Sequence, residues 1–425
     1  MKKTHYAWYT TVLCGLLMFG MSAQQMSQSV FYAKVADSLG VGMGVVSLCY
    51  SASTLCAFVM TPLTAYIFTK FPAKPLACIA IVDQFLSLLL LSVAKSPIVI
   101  AAACLMESFS ISGFQHTFPS VMIKRWFNDR GSFAYNIMLF MSMIGGIIFT
   151  PVASAIISAE GWGWRWAYRA IALFVILELP ITMLFLKESP EAISVKPYEE
   201  SGAKKKNKVQ NRPVMNANVT TKGAWKVPAF YLMALYTAFS VYPLAMQYHI
   251  PKHLATIGFT DTFAATVITA ALVGGLVGRL VLSYLSDKYG IKVTNVVFCI
   301  IGVATLVLLC NSAHFSTVLI LALGFFYGFA VRSGNVHGAV MKYELFGASP
   351  DYVSIMANSI IISNIISSTS STVYGFMYDA TGNYVGSFWL ASITWILSVV
   401  LAFILLSGKK KAVEKANSET YQAAA

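Results

Sequence analysis

Arg279 and Arg332 lie inside long apolar runs, and Arg169 lies in a third. An arginine in such a run is costly to bury unless it is paired or hydrated, which makes the first two candidate functional residues. A guanidinium stays charged and forks two donors onto both oxygens of a carboxylate, so the chemistry it offers is anion binding. Three acids share this apolar setting: Asp83, Glu107 and Glu178. An acid without a partner there favours its protonated form and can carry a proton. Glu107 is the preferred carrier, and Asp83 and Glu178 are expected to pair with internal cations. For Arg332 the competing reading is a buried ion pair with Glu107 or Asp83. His116 titrates near neutral pH and can hydrogen-bond a carboxylate, so it is a candidate for both anion binding and proton coupling. Gln25, in the run Ala23-Gln24-Gln25-Met26-Ser27-Gln28, must face protein or a cavity. Tyr242 and Gln247 are further lining candidates. The Ser/Asn/Thr run from Ser354 to Thr372 gives its segment a polar face, for which close helix packing by small residues is the competing explanation.

Apolar helices must position these residues. Of the 425 residues, 57% are hydrophobic and only 11% are charged, with mean hydropathy +0.68. Ordinary soluble domains carry about 25% charged residues. This chain therefore has too little charge to coat a water-facing surface, which excludes a soluble enzyme, a nucleic-acid binder and a disordered protein. The seven cysteines show no CxxC spacing and sit in or beside apolar runs, so they read as small apolar residues and not as a metal site or disulfide frame. Met1-Lys2-Lys3 is like the start of a signal peptide. The uncharged run from Thr4 to Ala33 is too long for one and long enough to cross a bilayer.

Runs of roughly 20 apolar residues predict twelve spans: 8–32, 44–68, 75–94, 98–121, 132–157, 165–187, 225–249, 262–285, 293–311, 317–341, 353–376 and 387–407. Of the 30 Lys and Arg, 23 fall on the face that carries Lys2, Lys204 and Lys409, and four (Lys34, Lys95, Arg165, Lys252) fall on the other. The positive-inside rule then puts both termini in the cytoplasm. The formal net charge of +13 comes from these basic loops. Residues 188–224, with Lys204-Lys205-Lys206, read as a flexible basic cytoplasmic linker. It divides the chain into a six-helix half at 1–187 and a second at 225–407, with a tail at 408–425.

Two motifs carry a resemblance. Gly278-Arg279 leads through the eighth span to Asp287-Lys288-Tyr289-Gly290-Ile291-Lys292. This is similar to the Gly-x-x-x-Asp-[Arg/Lys]-x-Gly-x-[Arg/Lys] loop signature of the major facilitator superfamily. The corresponding loop after the second span has Thr69 where the acid should be and Pro72 in place of the glycine. Lys124-Arg125-Trp126-Phe127-Asn128-Asp129-Arg130-Gly131, with Gly145-Gly146, Pro151 and Gly163-Trp164-Arg165, resembles the pattern of a narrower group, the oxalate–formate antiporters and their monocarboxylate-transporter relatives. The resemblance covers roughly 8–187 and 225–405.

It implies an all-α membrane fold of twelve transmembrane helices in two six-helix halves, with a substrate site near the midplane between them. It implies a secondary transporter of the plasma or bacterial inner membrane that moves a small organic anion by proton symport or anion exchange. Its partners are that anion, protons or a counter-anion, and membrane lipids; it works as a monomer without cofactor, metal or nucleic acid. In the family, the arginine matching Arg279 binds the substrate carboxylate. An aspartate stands four residues earlier in monocarboxylate transporters, where this chain has Gly275. The second cation of the dicarboxylate carriers falls at Ser363 or Asn364 here, so Arg332 is expected to replace it. Gln25 and His116 match site positions of the first and fourth helices. Asp287, Lys288, Gly290 and Arg130 are expected to gate: a carboxylate at a helix end can pair with loop cations or cap a neighbouring helix.

Catalytic motifs are missing, with no His-Glu-x-x-His, nucleotide loop or Gly-x-Ser-x-Gly elbow. The chain is therefore not expected to be an enzyme. A receptor, which usually carries an added soluble signalling domain, is not expected, since the tails and the linker seen here are short for one. The alternative is a drug/proton antiporter exporting apolar compounds, against which the two arginines argue.

Overall fold

In a computed structural model of the chain, the described residues are 5–199, 219–347, 349 and 351–423. Regular structure among them is helical apart from an isolated bridge pairing Phe127 with Tyr198. Among the described residues, ten helices are long and apolar enough to cross a membrane. The other two expected spans are also helical, and each departs from a plain apolar rod for a physical reason. The tenth is in two pieces, Thr317–Val331 and Gly334–Phe346. The eleventh, Tyr352–Thr381, is 30 residues long but diluted by its Ser/Asn/Thr run.

Local sequence sets the helix edges. Pro97 and Pro228 open their helices, where a missing N–H costs nothing. Ser316 caps Thr317–Val331 by accepting a hydrogen bond from the Leu319 amide. Gly290, at φ 79°, separates the eighth and ninth spans inside one run, Asp261–Cys310. Few residues but glycine adopt that conformation. The fourth span contains a π-helical segment, Ile111–Thr117, followed by Phe118–Trp126.

The linker is more structured at its ends than its composition predicts. The Tyr198 amide donates to Trp126 O at 2.8 Å, and the Asn128 amide donates to Tyr198 O at 3.0 Å. The Tyr198 ring meets His5, Trp8 and Phe127. At the far end Asp351 accepts from the Thr221 amide at 2.8 Å and from its hydroxyl at 3.0 Å. Backbone pairing and aromatic contacts outweigh a polar composition at the Tyr198 end, and hydrogen bonds to the Asp351 carboxylate do so at the Thr221 end. Lys204-Lys205-Lys206 lie outside the described residues.

The chain forms two compact units. The first comprises Met1–Lys206, Tyr248–Thr269 and Tyr378–Ala380; the second comprises Asn207–Gln247, Ala270–Met377 and Thr381–Ala425. In the first unit Asp379 accepts from the Met43 and Gly44 amides, each at 2.8 Å, at the start of Met43–Lys70. Ion pairs join Lys34 to Asp261 at 2.6 Å and Lys252 to Asp37 at 2.9 Å. In the second unit the eighth and tenth spans touch backbone to backbone. A Cβ added at Gly274 would overlap Phe325 O, one at Gly278 would overlap Phe329 O, and one at Gly328 would overlap Ala271 O. Small residues four apart allow such an approach.

Candidate functional site

Helix breaks build the site of the second unit. The seventh span is α-helical over Pro228–Val241 and then tightens to a 3-10 helix over Tyr242–Tyr248. That change frees main-chain carbonyls that lipid could not satisfy. Two tyrosines satisfy them. The Tyr327 hydroxyl donates to Pro243 O at 2.9 Å, with Leu244 O at 3.2 Å, and the Tyr374 hydroxyl donates to Tyr242 O at 3.3 Å. The tenth span breaks opposite this point, where Gly334 packs on the Ser240 carbonyl.

Arg332 ends Thr317–Val331 at that break and is buried. Its Nη2 donates to Oε1 of Gln247 at 2.7 Å. Its side chain runs across Gly275 of the eighth span. Arg279 stands one helical turn further along the same helix and is half-buried. Helical Cα–Cβ bonds tilt toward the N-terminus, so Arg279 leans toward the turn that Arg332 crosses. Tyr242 is buried, with its hydroxyl 3.5 Å from Thr369 Oγ1. The structure therefore gathers Arg332, Gln247, Tyr242 and the Arg279 turn of the helix. Asn364 is half-buried on Tyr352–Thr381, a helix that reaches this group through Thr369 and Tyr374.

The first unit holds the acids. Glu107 is fully buried and accepts from Nε2 of Gln84 at 3.2 Å, and the buried side chain of Gln24 approaches it. Asp83 accepts from the Ser110 hydroxyl. Among the described residues Glu107 and Asp83 thus meet neutral partners in place of a cation, because Gln84 and Ser110 reach them within their own unit. The cation expected beside Glu178 is likewise replaced. Its carboxyl lies against Gly20, with neither oxygen hydrogen-bonded among the described residues. A Cβ added at Gly20 would overlap that carboxyl, so the bare glycine of the first span makes the room it occupies. Gln25 is half-buried on Tyr6–Ser27. Arg169 stacks on Trp166 at 4.6 Å and reaches Ser92.

His116 falls in the π-helical segment, and its side chain lies outside the described residues, as does that of Asp287. Lys288 is exposed with its ammonium 5.1 Å from the Tyr289 ring centre. Arg130 adopts φ 61° immediately before Gly131–Ser158. No cluster of three metal-ligating side chains occurs among the described residues.

Sequence reasoning missed Tyr327, Tyr374 and Gln84; it read Gly275 only as a missing aspartate and Gln24 only as part of a polar run. The glycines at 274, 275, 278 and 328 were a legible signal of close helix approach. The tyrosines had none, since tyrosine is ordinary in an apolar run.

Residues 13–343 match the sequence profile of the Major Facilitator Superfamily. The chain belongs to the Major Facilitator Superfamily. Among curated superfamily relatives, monocarboxylate transporter 12 of Rattus norvegicus is 23% identical over 310 residues, covering 68% of this chain and 63% of that protein. A putative glycerol-3-phosphate transporter 1 of Arabidopsis thaliana is 25% identical over 237 residues, 50% of this chain and 45% of its own length. The chain thus spans less than two thirds of these relatives. Among solved structures, the D-xylose–proton symporter superposes with TM-score 0.72 at 13% identity, covering 93% of this chain and 97% of its own. The nucleoside transporter NupG gives 0.68 at 17%, covering 94% and 98%. At these identities they establish the fold, and the superfamily is one of transporters, not enzymes.

Proposed function

We propose that this superfamily member is a secondary transporter that moves a small organic anion by alternating access, with Arg279 and Arg332 supplying the positive charge the anion meets. One observation carries the reading. The membrane-crossing segments of the second unit, 228–247, 270–286, 291–342, 353–377 and 384–407, contain no Asp or Glu. Arg332 is nevertheless buried there, with a neutral Gln247 as a hydrogen-bond partner. A guanidinium stays charged and forks two donors onto both oxygens of a carboxylate, so two arginines in acid-free crossings favour a small organic anion as the substrate. The name of the rat relative, a monocarboxylate transporter, points the same way.

Gln25, His116, Tyr242, Gln247 and Asn364 complete the proposed anion site. Glu107, assisted by His116, is the proposed proton carrier if transport is symport; exchange for a second anion is the other mode. Asp287, Lys288, Gly290 and Arg130 gate. The protein resides in a plasma or bacterial inner membrane as a monomer, with both termini cytoplasmic and halves at 1–187 and 225–407.

Counterflow in proteoliposomes with a panel of mono- and dicarboxylates, run with and without a pH gradient, tests this. Arg279→Gln should raise KM for the transported anion at least tenfold at unchanged protein level. Unchanged affinity in Arg279→Gln removes the carboxylate clamp. No carboxylate movement by the unmodified protein sinks the anion reading and raises the drug-export alternative.

A further inference from the structure

Four glycines crowd the contact of the eighth and tenth spans, and one differs from the rest. At Gly274, Gly278 and Gly328 an added Cβ would strike main-chain atoms, of Phe325, Phe329 and Ala271 respectively. Main chain in a packed helix cannot yield, so these glycines are required for the helices to approach. At Gly275 the three nearest atoms all belong to the Arg332 side chain. A Cβ there would overlap Cδ and lie 2.9 Å from Nε and 3.0 Å from Cγ. The nearest neighbours here are thus side-chain and not main-chain atoms, and the position lies inside a regular α-helix. In a helix interior glycine is destabilising relative to alanine.

We infer that Gly275 is a positioning residue for transport: the bare turn of the eighth span is the seat on which the Arg332 guanidinium is held beside the Arg279 turn. Gln247 fixes the far end of the same side chain through its 2.7 Å bond to Nη2. The arginine is thereby held at two points, its alkyl chain on Gly275 and its head on Gln247. A side chain at 275 leaves the helix pair intact, because the atoms that must move belong to a flexible arginine. What it displaces is a positive charge. The inference rests on the proposed role of Arg332 in binding the anion, and its test separates the two.

The experiment is a double-mutant cycle of Gly275→Ala and Arg332→Ala in the full-length protein. It is read by KM in the counterflow assay, using the carboxylate of the panel that the unmodified protein carries best, and by thermal unfolding in detergent. Gly275→Ala should raise KM about tenfold or more at unchanged protein level. Arg332→Ala should raise it at least as much. The double variant should be no worse than Arg332→Ala alone, because alanine at 332 removes the three atoms nearest the new Cβ. The melting temperature should follow the same pattern, with any loss from Gly275→Ala vanishing in the Arg332→Ala background. Gly275→Ala with an unchanged KM, while Arg332→Ala raises it, overturns the seat and leaves the anion clamp standing. A KM penalty of equal size in both backgrounds also overturns the seat. If Arg332→Ala itself leaves KM unchanged, the anion role of Arg332 falls, and the transport role of Gly275 falls with it, even if the melting temperatures are coupled.

Discussion

Asp379 offers the sharpest test of how the first unit is held together. Its two carboxylate oxygens accept from the Met43 and Gly44 amides at 2.8 Å each. Those amides open Met43–Lys70 and have no intrahelical acceptor. A hydrogen bond to a charged group contributes about 1.5–3 kcal/mol when sheltered, and a carboxylate at a helix N-terminus gains a further ~0.3–1 kcal/mol from the macrodipole. Asp379 is exposed, and solvent screening brings the total down to about 2 kcal/mol, the upper end of measured cap removals. Asp379→Ala should therefore lower the melting temperature in detergent by about 3–6 °C, and Asp379→Asn, which keeps one acceptor, by about half that. The ion pair of Asp37 with Lys252 is the internal control. It is also exposed but has no helix amides to satisfy, so Asp37→Ala should cost under about 1 kcal/mol. A second perturbation reaches the same contact from the other side. Gly42 has an ordinary extended conformation, φ −67°, yet a Cβ there would overlap Oδ2 of Asp379. Gly42→Ala should reproduce the Asp379→Ala shift and add nothing to it. Equal shifts from Asp379→Ala and Asp37→Ala would refute the capping argument, as would a Gly42→Ala penalty that persists without the carboxylate.

Two further outcomes follow from the buried networks. Tyr327→Phe strips the donor from the Pro243 and Leu244 carbonyls and should cost about 1–3 kcal/mol; since those carbonyls precede Gln247, the anion KM should rise in the counterflow assay, and unchanged stability and KM would show that the 3-10 turn does not need the hydroxyl. Glu107→Gln should abolish stimulation by a pH gradient while leaving anion exchange intact, measured as uptake with and without the gradient; gradient-driven uptake that survives removes Glu107 as the proton carrier.

The relation between sequence and site is clearest at single residues. Gln247 and Tyr242 were readable as polar side chains in an apolar run, and the structure brings both to the break in the seventh span. Arg332 was readable as a buried cation, but its bond to Gln247 was not, and the acids of the competing reading, Asp83 and Glu107, are held by Ser110 and Gln84 in the first unit. Glu178 shows the opposite failure, a charge whose expected cation gives way to Gly20, which leaves the carboxyl against bare backbone.

The sequence alone determined that the chain crosses a membrane many times. An apolar composition with 11% charged residues leaves no other solvent, and periodic uncharged runs of bilayer length mark the crossings. It also determined that the second unit's crossings carry arginines and no acids, since that is a matter of counting. Only the tertiary structure decided what those arginines touch. A hydrogen bond such as Arg332 to Gln247 spans 85 residues of chain, and hydropathy, being a property of neighbours in sequence, is blind to it. The same holds for Gly275, whose meaning comes from an arginine on another helix and from nothing in its own.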